Sequence, residues 1–119
     1  MNTKMKLHIG GGLREASARI LNDVARFERG ETVAEDHLTF ENWQALFNVL
    51  TPRRYELLQY LHRQPEPSVR ALARALNRDY KRVHEDVHTL VGVGLVTRDV
   101  DGLHADYEAI ELPPTRIAL

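Results

Sequence analysis

The chain contains no cysteine. Its absence removes disulfide scaffolds, thiolate zinc sites, cysteine nucleophiles and thiol redox chemistry, and fits a reducing cytoplasm as the location. No apolar run approaches the length of a membrane span. The basic start Met1-Asn2-Thr3-Lys4-Met5-Lys6 is followed within three residues by a glycine triplet, too soon for a signal peptide. There is no excess of one charge: 16 Lys and Arg face 17 Asp and Glu, for a net charge of -1. The chain as a whole therefore does not advertise a nucleic-acid partner. What it has is 119 residues, 43% of them hydrophobic. That is one domain, or one domain with a small appendage, able to bury a core without staples and too apolar for disorder.

The distribution of charge says more than its sum. Residues 1–50 hold 6 basic and 7 acidic side chains, residues 51–90 hold 8 and 5, and residues 91–119 hold 2 and 5. A positive middle thus lies between a near-neutral start and an acidic end. Local excess of this kind creates a steering patch.

Hydrophobic periodicity orders the elements. Met5-Lys6-Leu7-His8-Ile9 alternates as a half-buried strand does, and Gly10-Gly11-Gly12 breaks it. Leu13, Ala16, Ile20, Val24 and Phe27 form a narrow apolar stripe on a helix of roughly 16 residues that Gly30 can end. So narrow a stripe has one partner surface, either the rest of the domain or a second copy. Residues 31–37 are polar and read as a loop. Thr39 is expected to cap a short helix over residues 40–50 with Phe40, Trp43, Leu46, Phe47 and Leu50 inward. Thr51-Pro52 starts the next helix, Thr as N-cap and Pro at the first position, presenting Tyr55, Leu57, Leu58 and Leu61. It stops before Pro65-Glu66-Pro67.

Ser68 caps a helix through Leu76, with Val69, Leu72, Ala73 and Leu76 inward. Asn77-Arg78 turns the chain, Asn tolerating the left-handed conformation. Asp79 caps a further helix with Tyr80, Val83, Val87 and Leu90 inward, which Gly92 and Gly94 end. Residues 95–98 read as a strand, Asp99-Val100-Asp101-Gly102 as a hairpin turn, and a second strand starts near Leu103. The remainder, with Pro113-Pro114, is expected to run extended over the surface.

Two short capped helices, a tight turn and a hairpin follow the order of a winged helix-turn-helix. In that motif the first helix braces the second, whose polar N-terminal half enters the major groove, where base pairs are distinguishable. On a helical wheel Arg78, Lys81, Arg82, Glu85 and Thr89 lie opposite the apolar side, with His88 nearby. Arg82 is the expected base reader, because a bidentate Arg to guanine is the commonest specific contact. Lys81 and Arg78 suit phosphates or bases, while Arg70, Arg74, Arg53 and Arg54 suit phosphates. Arg98 lies on the wing, but Asp99 and Asp101 make its tip acidic and unsuited to lie against phosphate.

Leu50-Thr51-Pro52-Arg53-Arg54-Tyr55-Glu56-Leu57-Leu58, Ser68-Val69-Arg70-Ala71-Leu72-Ala73, Asp79-Tyr80-Lys81-Arg82-Val83-His84-Glu85-Asp86-Val87 and Gly94-Leu95-Val96 together resemble the small prokaryotic winged helix-turn-helix regulators. These are loosely called MarR-like and are also grouped with a haloarchaeal DNA-binding family. The resemblance extends over nearly the whole chain, including the N-terminal strand and helix and Tyr107-Glu108-Ala109-Ile110-Glu111. It implies an antitoxin-like protein that neutralises a toxin encoded beside it and represses its own promoter. It also implies structural or recognition roles for Tyr80, His84 and Asp86.

Two other motifs compete. His84-Glu85-Asp86-Val87-His88 is a literal H-E-x-x-H, the zinc-peptidase signature in which two His of one helix face bind metal and Glu activates water. No third His follows at the usual spacing, the downstream carboxylates Asp99, Asp101 and Asp106 lie in or near a hairpin, and too little chain remains to build a cleft. Gly10-Gly11-Gly12 hints at a phosphate nest, but Glu15 replaces the third glycine of the dinucleotide fingerprint, no P-loop Lys is present, and no βαβ unit is expected around it. A turn is the plainer reading.

The expected fold is thus α+β, mainly α: a winged helix-turn-helix over residues 38–108, a strand–helix appendage over 1–37 for dimer or partner contact, and an extended tail over 109–119. The appendage's strand, read as an edge, and the tail are candidates to pair with each other or with another subunit. The expected function is sequence-specific binding of double-stranded DNA by a homodimeric repressor, an antitoxin-like autoregulator, with no enzymatic activity, cofactor or metal. The alternative is a protein-interaction module that neutralises a toxin and keeps the helix-turn-helix only as a scaffold; the remote one is the zinc peptidase.

Overall fold

The structure, a computed structural model, describes residues 3–10, 12–30 and 35–113; the side chains of residues 12–17 and 23 lie outside that description, Leu13 and Ala16 of the expected stripe among them. The fold is α+β. Its elements are β1 (Lys4–Ile9), α1 (Gly12–Glu28), β2 (Glu35–Phe40), α2 (Trp43–Val49), α3 (Pro52–Arg63), α4 (Val69–Leu76), α5 (Tyr80–Val93), β3 (Thr97–Asp99), β4 (Gly102–His104) and β5 (Ala109–Glu111). None of the described helices is long and apolar enough to cross a membrane.

The strands form two sheets. β3 and β4 make an antiparallel hairpin, and β2-β1-β5 make a three-stranded sheet in which both pairings are parallel. β1, α1 and β2 therefore build a parallel crossover around the glycine triplet, where the sequence pattern gave none. The expected loop at 31–37 conceals the reason. Glu35-Asp36-His37-Leu38-Thr39-Phe40 is a strand with one polar face, and its short apolar alternation is carried by Leu38 and Phe40 alone. The strand takes Thr39 out of any capping role, and Asn42 caps α2 instead, its side chain accepting from the Ala45 N–H at 2.8 Å. β2 also crosses position 37/38, where the appendage was expected to end. β1 is the central strand and not an edge, and the tail pairs with it through β5, the first of the two pairings expected for these segments, Lys4 opposite Ala109 and Lys6 opposite Glu111. Residues from 114 onward lie outside the described part.

The two faces of this sheet differ in kind. Met5, Leu7 and Phe40 are buried in the core, with Ile9, Leu38 and Ile110 packed against it. The alternate residues make a polar face: Lys4 and Lys6 pair with Glu111, Lys6 and Arg26 flank Glu35 at 3.3 Å each, and His8 Nε2 meets His37 Nδ1 at 2.8 Å. Burial alone would push Glu35 up; the bonds and charges of Lys6 and Arg26 hold it below the ordinary carboxylate value. Helix α1 touches this polar face with polar side chains, Arg26 to Glu35 and Arg19 to the Thr39 hydroxyl. Its apolar stripe points elsewhere, leaving Ile20, Leu21, Val24 and Phe27 exposed, Phe27 by 73%.

The main core lies under α2–α5 and the hairpin, where Leu46, Leu57, Leu61, Leu72, Val83, Val87, Leu90, Leu95 and Leu103 are almost fully buried. Three residues read as inward face solvent instead: Phe47 of α2, Tyr55 of α3 and Tyr80 at the start of α5. Each sits at the margin of an apolar arc whose centre is filled by Leu46, by Leu58 and by Val83 and Val87 respectively.

Candidate nucleic-acid interface

Local capping chemistry fixes the α4–α5 unit. The Ser68 hydroxyl accepts from the Ala71 N–H at 3.1 Å to start α4. Asn77 ends it at φ 53, ψ 48, and its own N–H and that of Arg78 return to the carbonyls of Arg74 and Ala73. Asp79 then starts α5 by accepting from the Arg82 N–H at 3.2 Å. Gly94, at φ 88, stops α5 after Val93, so Gly92 lies inside the helix. Val69, Leu72 and Ala73 of α4 and Val83, Val87 and Leu90 of α5 are buried in the common core, which turns the polar arc of α5 outward.

That arc displays most of the expected contact residues. Lys81, Arg82, Glu85 and His88 are exposed and Thr89 is half-buried; Arg70 and Arg74 are exposed on α4. Among the described residues no carboxylate lies within ion-pairing distance of Arg70, Arg74, Lys81 or Arg82. Arg53 is exposed on α3, 3.8 Å from Glu56.

Two of the expected phosphate contacts are engaged inside the protein. Arg54 Nε donates to Asp86 Oδ1 at 3.0 Å and its Nη1 to the carbonyls of Asn48 and Val49. Arg78 Nη2 donates to Asp86 Oδ2 at 2.7 Å. One carboxylate of α5 thereby ties down α3, the end of α2 and the α4–α5 turn. A helical wheel places charges on a surface but cannot see that a half-buried carboxylate claims them.

Arg70, Arg74, Asn77, Arg78, Asp79 and Tyr80 line a cleft of about 570 Å³ at the α4–α5 turn. The Arg70 guanidinium lies 4.5 Å above the Tyr80 ring, a cation–π contact. Sequence reasoning missed Asn77 as a lining residue; Tyr80 reads either as a core residue or as one whose hydroxyl reaches a phosphate, and the basic pair at 70 and 74 stands one helical turn apart.

The hairpin is pinned by a short bridge to the loop before α4: Glu66 and Leu103 exchange backbone hydrogen bonds of 3.1 and 2.7 Å. Asp99 of the hairpin and Asp106 just beyond it are gathered around one imidazole. His104 Nε2 lies 2.7 Å from Asp99 and Nδ1 lies 2.6 Å from Asp106. Both ring nitrogens face carboxylates, which selects the doubly protonated ring. The hydrogen bond to Asp99 pushes His104 up against the opposing effect of burial, with Asp106 adding to the rise; the same bond pulls Asp99 below its ordinary value.

The competing motifs find little support. His84 makes a tilted ring contact with Tyr80, centroids 5.9 Å apart, Asp86 is committed to the two arginines, and no group of three or more potential ligands is placed to hold a metal among the described residues. Gly10 adopts φ +68, but its N–H is already given to the Phe40 carbonyl at 2.7 Å and is not offered to an anion.

No curated protein and no solved structure matches the chain. A family model does, over residues 49–112, more than half of the chain, from the end of α2 through α3–α5 and the hairpin to β5 and the residue after it. By that match the chain belongs to the HVO_A0114 family.

Proposed function

We propose that this protein is a sequence-specific DNA-binding transcriptional regulator, a winged helix-turn-helix in which α4 braces α5 and the β3–β4 hairpin is the wing. The observation that carries the reading is the set of unneutralised cations, Arg70, Arg74, Lys81 and Arg82, on the outward side of a tightly capped helix pair. Each cation that meets a phosphate releases close to one counterion. With Arg82 on a base, the two or three phosphate contacts left to Arg70, Arg74 and Lys81 give a slope of about -2 to -3 in log K against log salt. Arg82 is the base reader in this reading, and Lys81 contacts a phosphate or a base. Arg54 and Arg78 serve the fold and not the DNA. Repression, and autoregulation as an antitoxin, rest on the resemblance to small prokaryotic regulators.

The working unit in this reading is a homodimer, since one recognition helix reads only a few base pairs. The polar sheet face under α1 supports it: among the described residues, no apolar surface covers Ile20, Leu21, Val24 and Phe27 there. The same exposed stripe favours the second reading, a protein-interaction module that holds a toxin.

A mobility-shift assay of the protein with its own upstream DNA and with a scrambled duplex, at low and near-physiological salt, tests the proposal. The expected result is a preference for the upstream DNA that survives the higher salt. Equal, salt-labile binding to both duplexes, or no binding, would move the weight to the protein-interaction reading.

A further inference from the structure

We infer that the cleft at the α4–α5 turn is a phosphate-binding site, with Arg70 and Arg74 as its gripping residues. The DNA reading supplies one source of the phosphate, the backbone of a duplex; a free phosphorylated anion supplies the other. The inference rests on that reading for the choice of source alone.

The arrangement of charge points to an anion. Arg70 and Arg74 stand one turn apart on the same face of α4, and like charges so placed repel. No carboxylate lies within ion-pairing distance of either among the described residues. A bound anion relieves that repulsion. Arg78 also lines the cleft, its guanidinium held by Asp86 at 2.7 Å, so it shapes the wall while Asp86, shared with Arg54, offsets part of its charge. Asp79, the one acidic residue of the lining, is turned to cap α5 through the Arg82 N–H.

The geometry points to phosphate in particular. The cation–π contact with Tyr80 anchors the Arg70 guanidinium at the cleft, and among the described residues no side-chain hydrogen bond uses its N–H groups, which leaves them to donate. Two guanidinium forks suit an oxyanion with several equivalent acceptors, and the first turn of the 14-residue α5 opens toward the same space through Tyr80. A volume of about 570 Å³ is that of a ligand cleft and leaves room for what a phosphate is attached to.

The test uses the whole chain and the double variant Arg70→Ala with Arg74→Ala, both positions being exposed and outside the core. Two probes are applied: the duplexes above, read as the salt dependence of binding, and inorganic pyrophosphate, read as shifts of the Tyr80 and Lys81 amide signals in NMR. On the duplexes, the double variant should bind upstream and scrambled DNA more weakly by the same factor, with a slope reduced by about 2. The double lysine variant should keep the slope and lose affinity, because charge remains and the fork is gone. Amide shifts with pyrophosphate that vanish in the double alanine variant, in a protein that binds no duplex, would support the cleft as a free-phosphate site while the DNA reading fails. An unchanged slope together with no pyrophosphate shift would overturn the cleft and leave the DNA reading standing. Binding of neither probe by the unaltered protein would overturn both.

Discussion

Arg54 and Asp86, on helices α3 and α5 and 32 residues apart in sequence, are joined by a 3.0 Å hydrogen bond, and the other oxygen of the same carboxylate holds Arg78. Both arginines and the aspartate are largely shielded, 13–18% exposed. Removing the carboxylate charge strands two guanidiniums. Asp86→Asn is expected to destabilise the fold by about 1–3 kcal/mol, the range for losing hydrogen bonds to a charged group at a half-buried site. Urea unfolding measures it; a loss under about 1 kcal/mol would mean that the two arginines find water instead.

The hairpin is expected to be intolerant of a methyl group at Gly102. That residue sits at φ +113, and a Cβ there would stand 2.4 Å from the Glu66 carbonyl oxygen and 2.7 Å from Pro67. Strain at such a backbone conformation costs about 1–3 kcal/mol before the clash is counted. Gly102→Ala should lower the melting temperature and loosen the Glu66–Leu103 bridge, seen as faster exchange of the Leu103 amide. Unchanged melting and unchanged exchange would show that the hairpin can lift away freely.

The clasp around His104 makes stability depend on pH in two directions. A histidine whose pKa is raised in the folded state contributes fully below its ordinary value of 6.5, and the contribution is lost as pH climbs through the raised value. Asp99, lowered, contributes above its ordinary 3.8, and that is lost as pH falls through the lowered value. The hairpin should therefore be firmest in the mildly acidic range between them. His104→Ala should flatten the alkaline side of a stability–pH profile. An imidazole titration of His104 at or below the ordinary value would refute the clasp.

Arg82→Ala should reduce discrimination between operator and scrambled DNA by about 1–3 kcal/mol, as expected for one bidentate base contact. Arg53→Ala should alter binding far less, its side chain being exposed beside Glu56. Competitive anisotropy with both duplexes separates the two. A uniform loss for Arg82→Ala on all sequences would reassign it to phosphate.

Phe27→Asp should dissociate the proposed dimer, since it puts a charge at the C-terminal end of the exposed α1 stripe, on its most exposed side chain, while Arg19 and Arg26 keep their bonds to β2. Sedimentation at micromolar concentration reads the change. A wild-type chain that sediments as a monomer at that concentration would leave the stripe to a different protein.

Much of the α2–α5 region was legible in the chain because caps are local chemistry. Thr51, Ser68 and Asp79 each act within three residues of themselves, and Asn77 and Gly94 reverse the chain by their own backbone freedom. The features that escaped are those decided by distant neighbours. β2 reads as a loop because only Leu38 and Phe40 of its residues pack on the core, and its strand character comes from pairing with β1. Tyr55 and Phe47 carry apolar rings to solvent at positions a wheel assigns to the interior. Within the candidate interface, Lys81 and Arg82 were visible from spacing alone, whereas the withdrawal of Arg54 and Arg78 was not, because their shared partner Asp86 is set by how α3, α4 and α5 pack.

The central position of β1 has a consequence for the order in which the molecule is made. Its partners are β2, close behind it, and β5, which pairs Ala109 with Lys4 across nearly the full length of the chain. On the ribosome the helices of residues 52–93 can collapse on one another as they emerge, while the first strand waits, half-matched, for the last. Contacts of such sequence separation form late and slowly. Until β5 arrives, one side of β1 is an open hydrogen-bonding edge in the nascent protein, so truncation before residue 109 should leave a chain with a formed helical core and a strong tendency to self-associate through that strand.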